Sequence, residues 1–296
     1  MKLMTTLLTS NDVPKLARLI RSAQEVVKIT PIEWEVVVVV NSTREGYYEE
    51  VCALDQPFRV VNSESNGKPG KGKNACLDVF LQSDADFVSQ IDGDDFLYPS
   101  YLQSLYNHIR HHPSIDVLGV VPCDSITSWE LHGGHRWVVN GKYHASVWGT
   151  SMCPPSPNMG PQKSHLFIDE RPVSIDFIML QSRKSAQFKM NEDIGNGEDH
   201  AYTYKLLGQH QKGNISYFLT MSSDMYCIDR TTEGSAQKVH SYDDYLEPMR
   251  EEARRHVPEW RSSPYELPVI YKELLMNHTQ KEIWINDFLN RPEQSV

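Results

Sequence analysis

The 296-residue sequence has no apolar run long enough to cross a bilayer: its longest, Val36–Val40, is five residues, against about 20 for a spanning helix. The N-terminal Met-Lys-Leu-Met-Thr-Thr-Leu-Leu stretch is followed by a polar, acidic run rather than a cleavage site, so a cytoplasmic protein is expected. Five scattered cysteines (Cys52, Cys76, Cys123, Cys153, Cys227) are odd in number and form no Cys-x-x-Cys pair. That argues against a disulfide framework or structural zinc and for a reducing compartment. Basic charge is in deficit: the formal net charge is −10, which disfavours a nucleic-acid partner, since such binding rests on Lys and Arg neutralising phosphates. Internal repeats and low-complexity linkers are also missing. What is present, 40% hydrophobic and 23% charged residues, is ordinary for a globular protein.

The first half alternates strand-like and helix-like segments. Lys2–Leu8 reads as a strand, with Asn11 or Asp12 capping a helix through about Lys28. Trp34–Val40 carries five valines, the pattern of a strand buried on both faces of a parallel sheet. Tyr47–Leu54 is expected to be helical, Phe58–Val61 a strand, Asn66–Lys73 a Gly/Lys loop, and Asn74–Gln82 a helix. Phe87–Ile91 is a strand, Pro99–Arg110 a helix and Val117–Val121 a strand. Such an order predicts an open parallel sheet covered by helices, with ligands outside the carboxyl ends of its strands. From about Ile126 to Phe177 the pattern becomes irregular. Gly197–Leu207 reads as a helix, Tyr217–Ile228 as one or two strands, and the tail from about Ser241 to Leu289 as helical.

Three features carry chemistry. The first is Asp92-Gly-Asp-Asp95 at the end of an apolar strand. Two carboxylates one residue apart suit a hard divalent cation whose other ligands come from a bound diphosphate. The plainer reading is a polar turn, yet three crowded carboxylates repel one another and a turn needs only one. The second is Gly67-Lys-Pro-Gly-Lys-Gly-Lys-Asn74, three lysines and three glycines that could receive a phosphate or simply be solvated. It nearly matches a P-loop, but Asn74 stands where a metal-binding hydroxyl belongs, and Asn62–Asn66 separates loop from strand. The third is Gly197-Glu198-Asp199-His200, which opens a helix; acids suit a first turn in any case.

In this order the pieces resemble the family 2 glycosyltransferases and their GT-A relatives. Leu8-Thr-Ser-Asn11 is similar to the family's first strand end, Asn66-Gly67 with Lys73-Asn74 to its Asn-x-Gly and basic-Asn loop, and Asp92-Gly-Asp-Asp95 to its Asp-x-Asp-Asp. Gly197-Glu-Asp199, and Tyr226-Cys-Ile-Asp-Arg230 with Ser235, resemble two later motifs. The second strand departs from the pattern, ending in Asn41-Ser42 where the family often has an Asp-led pair; an amide can still hydrogen-bond uracil.

The resemblance implies a GT-A-type, Rossmann-like core over 1–236, divided into a nucleotide-sugar half (1–122) and an acceptor-side half (123–236), with a helical extension at 237–296. It implies transfer, with inversion, from a nucleoside-diphosphate sugar, UDP-sugar first, to the hydroxyl of a glycan or other acceptor. Asp94 and Asp92 would hold Mn2+ or Mg2+. Thr9, Asn11, Asn41, Lys73, Gly93 and Arg230 would contact the donor, Asp199 would act as base, and Glu198 would assist. Asp95, Trp129, Trp137 and Trp148 would lie on the acceptor side, although the tryptophans could equally fill a core. His240 is a candidate third metal ligand. A P-loop kinase or ATPase, and a sugar-binding module without turnover, are the readings from other classes.

Overall fold

Alternation along the valine strand divides the molecule into two layers. In β2 (Glu33–Val40), Val36, Val38 and Val40 join one buried cluster while Val37 and Val39 join another, as successive side chains on a strand must. The first layer is built by α1 (Val13–Glu25), α2 (Tyr47–Cys52) and α4 (Tyr101–His111), the second by α3 (Pro69–Leu81) and α5 (Glu198–Gln211).

A computed structural model describes residues 1–120, 178–195, 197–220, 224–229, 251–252, 254–256, 275–277 and 279–291 in full. For 124–127, 136–139, 142–145, 148–149, 163–165, 167–168, 171–172, 177, 230, 266–270 and 278 it describes the backbone. The remaining strands are β1 (Lys2–Thr9), β3 (Arg59–Asn62), β4 (Phe87–Asp92), β5 (Phe96–Leu97), β6 (Val117–Val120), β7 (Asp124–Thr127), β8 (Arg136–Val139), β9 (Lys142–Ala145), β10 (Trp148–Gly149), β11 (Lys163–His165), β12 (Phe167–Ile168), β13 (Arg171–Pro172), β14 (Phe177–Ser182), β15 (Tyr217–Thr220), β16 (Tyr226–Arg230) and β17 (Glu266–Ile270).

The main sheet has nine strands in the order β11-β17-β15-β6-β14-β4-β1-β2-β3. β1–β2, β1–β4, β2–β3, β6–β15 and β15–β17 pair in parallel, and β14 runs antiparallel to both neighbours. The expected open, mostly parallel sheet is thus present. Strand order reverses at β1, with β2 on one side and β4 on the other, which makes the carboxyl ends of these strands the switch point. A smaller sheet, β10-β7-β16-β5, stands beside that point.

Two expectations fail. The Gly/Lys stretch is a loop only as far as Lys68: α3 begins at Pro69 and takes in Pro69–Lys73. Pro69 is pre-set for a first helical turn, and the glycines serve packing. A Cβ on Gly70 would lie 2.8 Å from the Asn191 carbonyl oxygen, and one on Gly72 would lie 3.0 Å from both Asn41 Oδ1 and Leu8 Cδ1. The tail, in turn, is not uniformly helical. Helical residues at 251–252 and 254–256 are followed by β17, which joins the main sheet beside β15, and a further helix, α6 (His278–Asn290), comes after it. Ile285 and Phe288 of α6 are buried with Phe96, Tyr98 and Cys227 of the core. The boundary drawn at 236/237 therefore separates residues that pack together.

Candidate active site

β1, β2 and β4 end at one level: Leu8 pairs with Asp92, Thr9 with Val40, and the Asn41 amide donates to the Thr9 carbonyl over 2.8 Å. At this edge β4 turns sharply through Asp92–Asp95, where the Asp95 N–H donates to the Asp92 carbonyl. Glycine is required at Gly93 because a Cβ there would stand 2.6 Å from the Leu8 carbonyl oxygen. The close approach it permits is to the neighbouring strand.

Lys73 is at the centre of the acidic cluster. Its position in the second turn of α3 carries Nζ under the β4 turn, 2.7 Å from Glu198 Oε1 and 3.9 Å from Asp92 Oδ2. Burial alone would lower its pKa, but the charges of Asp92, Glu198 and Asp199 outweigh burial and hold the ammonium well above its usual range. The opposite holds for Asp92. Burial among its crowded neighbours pushes it up to about 6, Lys73 opposes, and the charges of Asp94, Glu198 and Asp199 add to the rise. The Asp92 side chain still keeps 42% of its surface, so the perturbed carboxylate can be reached from outside.

Glu198 and Asp199 open α5 behind Gly197, which takes a left-handed conformation at φ 75°. Glu198 turns inward onto Lys73 and is buried, whereas Asp199 keeps 50% of its side-chain surface. Partial burial pushes Asp199 up, but His200, Lys73 and the His200 N–H (2.7 Å) outweigh it and hold the carboxyl below its usual value.

Of the other residues expected at the site, several are committed to partners within the fold. Asn41 is committed internally: Nδ2 donates to Ser63 Oγ (2.9 Å) and the Glu64 carbonyl (3.1 Å), and Oδ1 accepts from Ser65 Oγ. It braces the loop after β3 instead of presenting an open amide. Thr9 is buried and shares a hydrogen bond with the Tyr47 hydroxyl, and Arg44 lies 4.6 Å above the Tyr47 ring. Asn11 is exposed beyond β1. Asp95, expected on the acceptor side, is buried, and its Oδ1 accepts the Asp229 N–H at 2.9 Å. Burial and the charges of Asp94 and Asp92 drive its pKa well up. It locks the turn to β16.

Asn74 clasps the segment opposite: Nδ2 donates to the Met190 carbonyl and Glu192 Oε1, and Oδ1 accepts the Met190 N–H. Gly70 is packed against Asn191 and Lys73 is held by Glu198, so the lysine that a P-loop would turn to a phosphate is committed elsewhere, which counts against the P-loop reading. Arg230 ends β16 in register with Thr127. Trp137 lies in β8 and Trp148 in β10. The side chains of these three, and all of Trp129 and His240, lie outside the described residues. Sequence reasoning missed Arg18, Tyr47 and Asp229. Arg18 sits in an amphipathic helix without a motif, Asp229 inside one noted for its Tyr and Arg, and nothing local distinguishes Tyr47.

Among the described residues no group of three or more His, Cys, Asp and Glu side chains could hold a metal unaided. The donor set nevertheless suits a hard cation that brings its own phosphate ligands. Hard cations take oxygen donors, and an added positive charge would relieve the repulsion that raises Asp92.

An open α/β sheet with an acidic cluster at its switch point, facing the first turn of a helix, defines a protein of the GT-A glycosyltransferase class. The Glycosyl transferase family 2 model matches residues 7–178, and the chain belongs to that family. Solved structures of S. aureus TarS share the fold. Residues 1-349 of TarS match at TM-score 0.53 and 18% identity, over 77% of this chain and 60% of that one. The same fragment in complex with UDP-GlcNAc matches at 0.56 and 18%, over 87% and 68%. The longer TarS structure matches at 0.55 and 20%, covering 98% of this chain but only 43% of TarS. No curated protein matches the chain. Among the described residues no helix is long and apolar enough to cross a membrane.

Proposed function

We propose that the chain transfers a sugar from a nucleoside-diphosphate sugar to an acceptor hydroxyl, with inversion and with the help of a divalent cation. The observation that carries this reading is the placement of two accessible carboxylates, Asp92 and Asp199, around the buried Lys73–Glu198 pair at the carboxyl edge of the sheet. An excess of carboxylate at a strand end is suited to the cation that accompanies a diphosphate. That TarS has been solved with UDP and with UDP-GlcNAc makes a uridine nucleotide the first donor to try here.

In this reading Asp94 and Asp92 hold Mn2+ or Mg2+, and Thr9 and Asn11 border the nucleoside. A bound cation would supply stabilisation of the charge that develops on the departing diphosphate. Asp199 accepts the proton of the acceptor hydroxyl as it attacks. Lys73 is reassigned from phosphate contact to internal counter-ion, because its ammonium is already held by Glu198. Glu198 in turn fixes the start of α5 so that Asp199 faces outward. Arg230 remains the candidate for the second phosphate contact. A cytoplasmic location belongs to the same proposal.

The test is a calorimetric and thermal-shift panel of UDP-, GDP- and CDP-sugars against ATP, with and without Mn2+. A UDP-sugar should stabilise the protein in a metal-dependent way, by about 2.7 kcal/mol at 100 times its Kd. Asp94→Asn should abolish the metal dependence, while Asp78→Asn, an exposed residue of α3 paired with Lys189, should change nothing. A response to ATP alone would overturn the donor class. Binding without any turnover on a broad acceptor panel would favour a sugar-binding module.

A further inference from the structure

Beneath the Asp92–Asp95 turn lies a second charged layer. Arg18, on α1, donates through Nη2 to the backbone carbonyl of Asp94 at 2.8 Å and, through the same nitrogen, to the carboxylate of Asp229. Asp229 is fully buried and has Lys15 Nζ 3.4 Å away. Its own N–H donates to Asp95 Oδ1. The guanidinium of Arg18 packs over the Phe96 ring, 5.4 Å from its centroid, and Phe96 follows directly on Asp95. One side chain thus touches the turn that carries both expected metal ligands, the strand that ends in Arg230, and Phe96, the residue directly after the turn.

Surface ion pairs rarely fix geometry. This one is different because Arg18 keeps only 18% of its side-chain surface and Asp229 none. A planar guanidinium stacked on a ring is pre-organised, so little freedom is lost per bond formed. A carbonyl locked from below restricts the directions in which the Asp94 side chain can project.

We propose that Arg18 is a positioning residue for the cation site, holding the Asp94 backbone so that its carboxylate faces the diphosphate. The inference rests on the reading of Asp94 as a metal ligand. Changing a group that orients metal ligands typically lowers metal affinity by about 10–100-fold. Arg18→Lys keeps the charge opposite Asp229, but its side chain is one atom shorter and ends short of the point from which Nη2 reaches both acceptors.

The experiment titrates Mn2+ by calorimetry into wild type, Arg18→Lys and Asp94→Asn, each saturated with UDP, and measures UDP affinity without metal and the melting temperature. For Arg18→Lys we expect Mn2+ affinity to fall about tenfold or more while metal-free UDP affinity and melting temperature stay near wild type. Unchanged Mn2+ affinity overturns the proposal. So does a parallel fall of all three quantities, which marks a merely structural role. Should Arg18→Lys fail to fold, the double change Arg18→Gln with Asp229→Asn removes both members of the buried pair together and must show the same split. The two readings fail separately. If wild type binds no UDP with Mn2+, the proposed function falls and the role of Arg18 with it. If wild type responds and Asp94→Asn does not, yet Arg18→Lys behaves as wild type, only Arg18 is misassigned.

Discussion

Glu198 and Asp199 are adjacent at the start of α5, where successive side chains diverge by about 100°, and their surroundings make them chemically unlike. Glu198 is spent on Lys73; Asp199 faces outward and stays ionised. A base that acts only in the transition state should be removable without loss of donor affinity. Asp199→Asn is therefore expected to lose about 10²-fold or more in kcat with an unchanged donor Kd by calorimetry. Glu198→Gln should lose less in kcat, because an amide can still accept from Lys73. Near-normal turnover of Asp199→Asn would move the base elsewhere.

Asp92 sets the pH behaviour. Its pKa, raised to about 6, leaves it protonated and a poor ligand below that value. Mn2+ affinity measured with saturating UDP should fall by about tenfold per pH unit below 6, if one proton is displaced. The sign for stability is the reverse. A carboxyl raised in the folded state contributes stability that is present at low pH and lost as pH rises through about 6. The metal-free protein should thus melt slightly higher at pH 5.5 than at 7.5 as far as Asp92 decides it, with Asp92→Asn flattening the difference.

At the scale of elements, the site depends on how closely strand ends and helices approach. Two glycines separate the possible causes. In Gly93→Ala the new Cβ would meet the Leu8 carbonyl at 2.6 Å, so β4 and β1 must part at the Asp92–Asp95 turn. Gly46, at φ 77°, has open space where a Cβ would stand, with nothing within 4 Å, so Gly46→Ala is opposed only by its left-handed backbone, by about 1–2 kcal/mol. Gly93→Ala should cost about 1–3 kcal/mol and weaken Mn2+-dependent UDP binding as well. Gly46→Ala should lower the melting temperature without that second effect. Equal nucleotide affinity in both would show that the β1–β4 approach does not shape the site.

At the scale of the whole molecule, the C-terminal helix is part of the site's support. Phe288 is buried, stacked on Trp284 at 4.9 Å and packed on Phe96 at 5.8 Å, with Arg21 4.7 Å above its ring. Because Phe96 adjoins Asp95, a cavity at Phe288 should be felt at the acidic turn. Phe288→Ala is expected to cost about 3–5 kcal/mol and to reduce nucleotide binding. Ile283→Ala, on the exposed side of the same helix, should stay within about 0.5 kcal/mol. Stability is read by denaturant unfolding in both variants.

The sequence by itself determined the sheet and its active edge. The run of valines, a cap at Asn11 or Asp12 and the order of strands and helices are local signals, and local signals suffice to say where strands end and which loops meet. It also singled out Asp92 and Asp94, since the crowding of carboxylates is visible in one dimension, whereas Glu198 and Asp199 were indicated only by their likeness to a family motif. Tertiary structure decided what each group touches. Lys73 meets Glu198 across 125 positions and Arg18 meets Asp229 across 211. Asn41 and Asp95, plausible ligands in isolation, are consumed by partners that no spacing rule connects to them. The strand β17 within a helical-looking tail has the same origin, because pairing with β15 satisfies its backbone where short-range propensity does not decide the outcome. A side chain's type is written locally; its free valence for chemistry depends on which distant donors and acceptors folding brings to it.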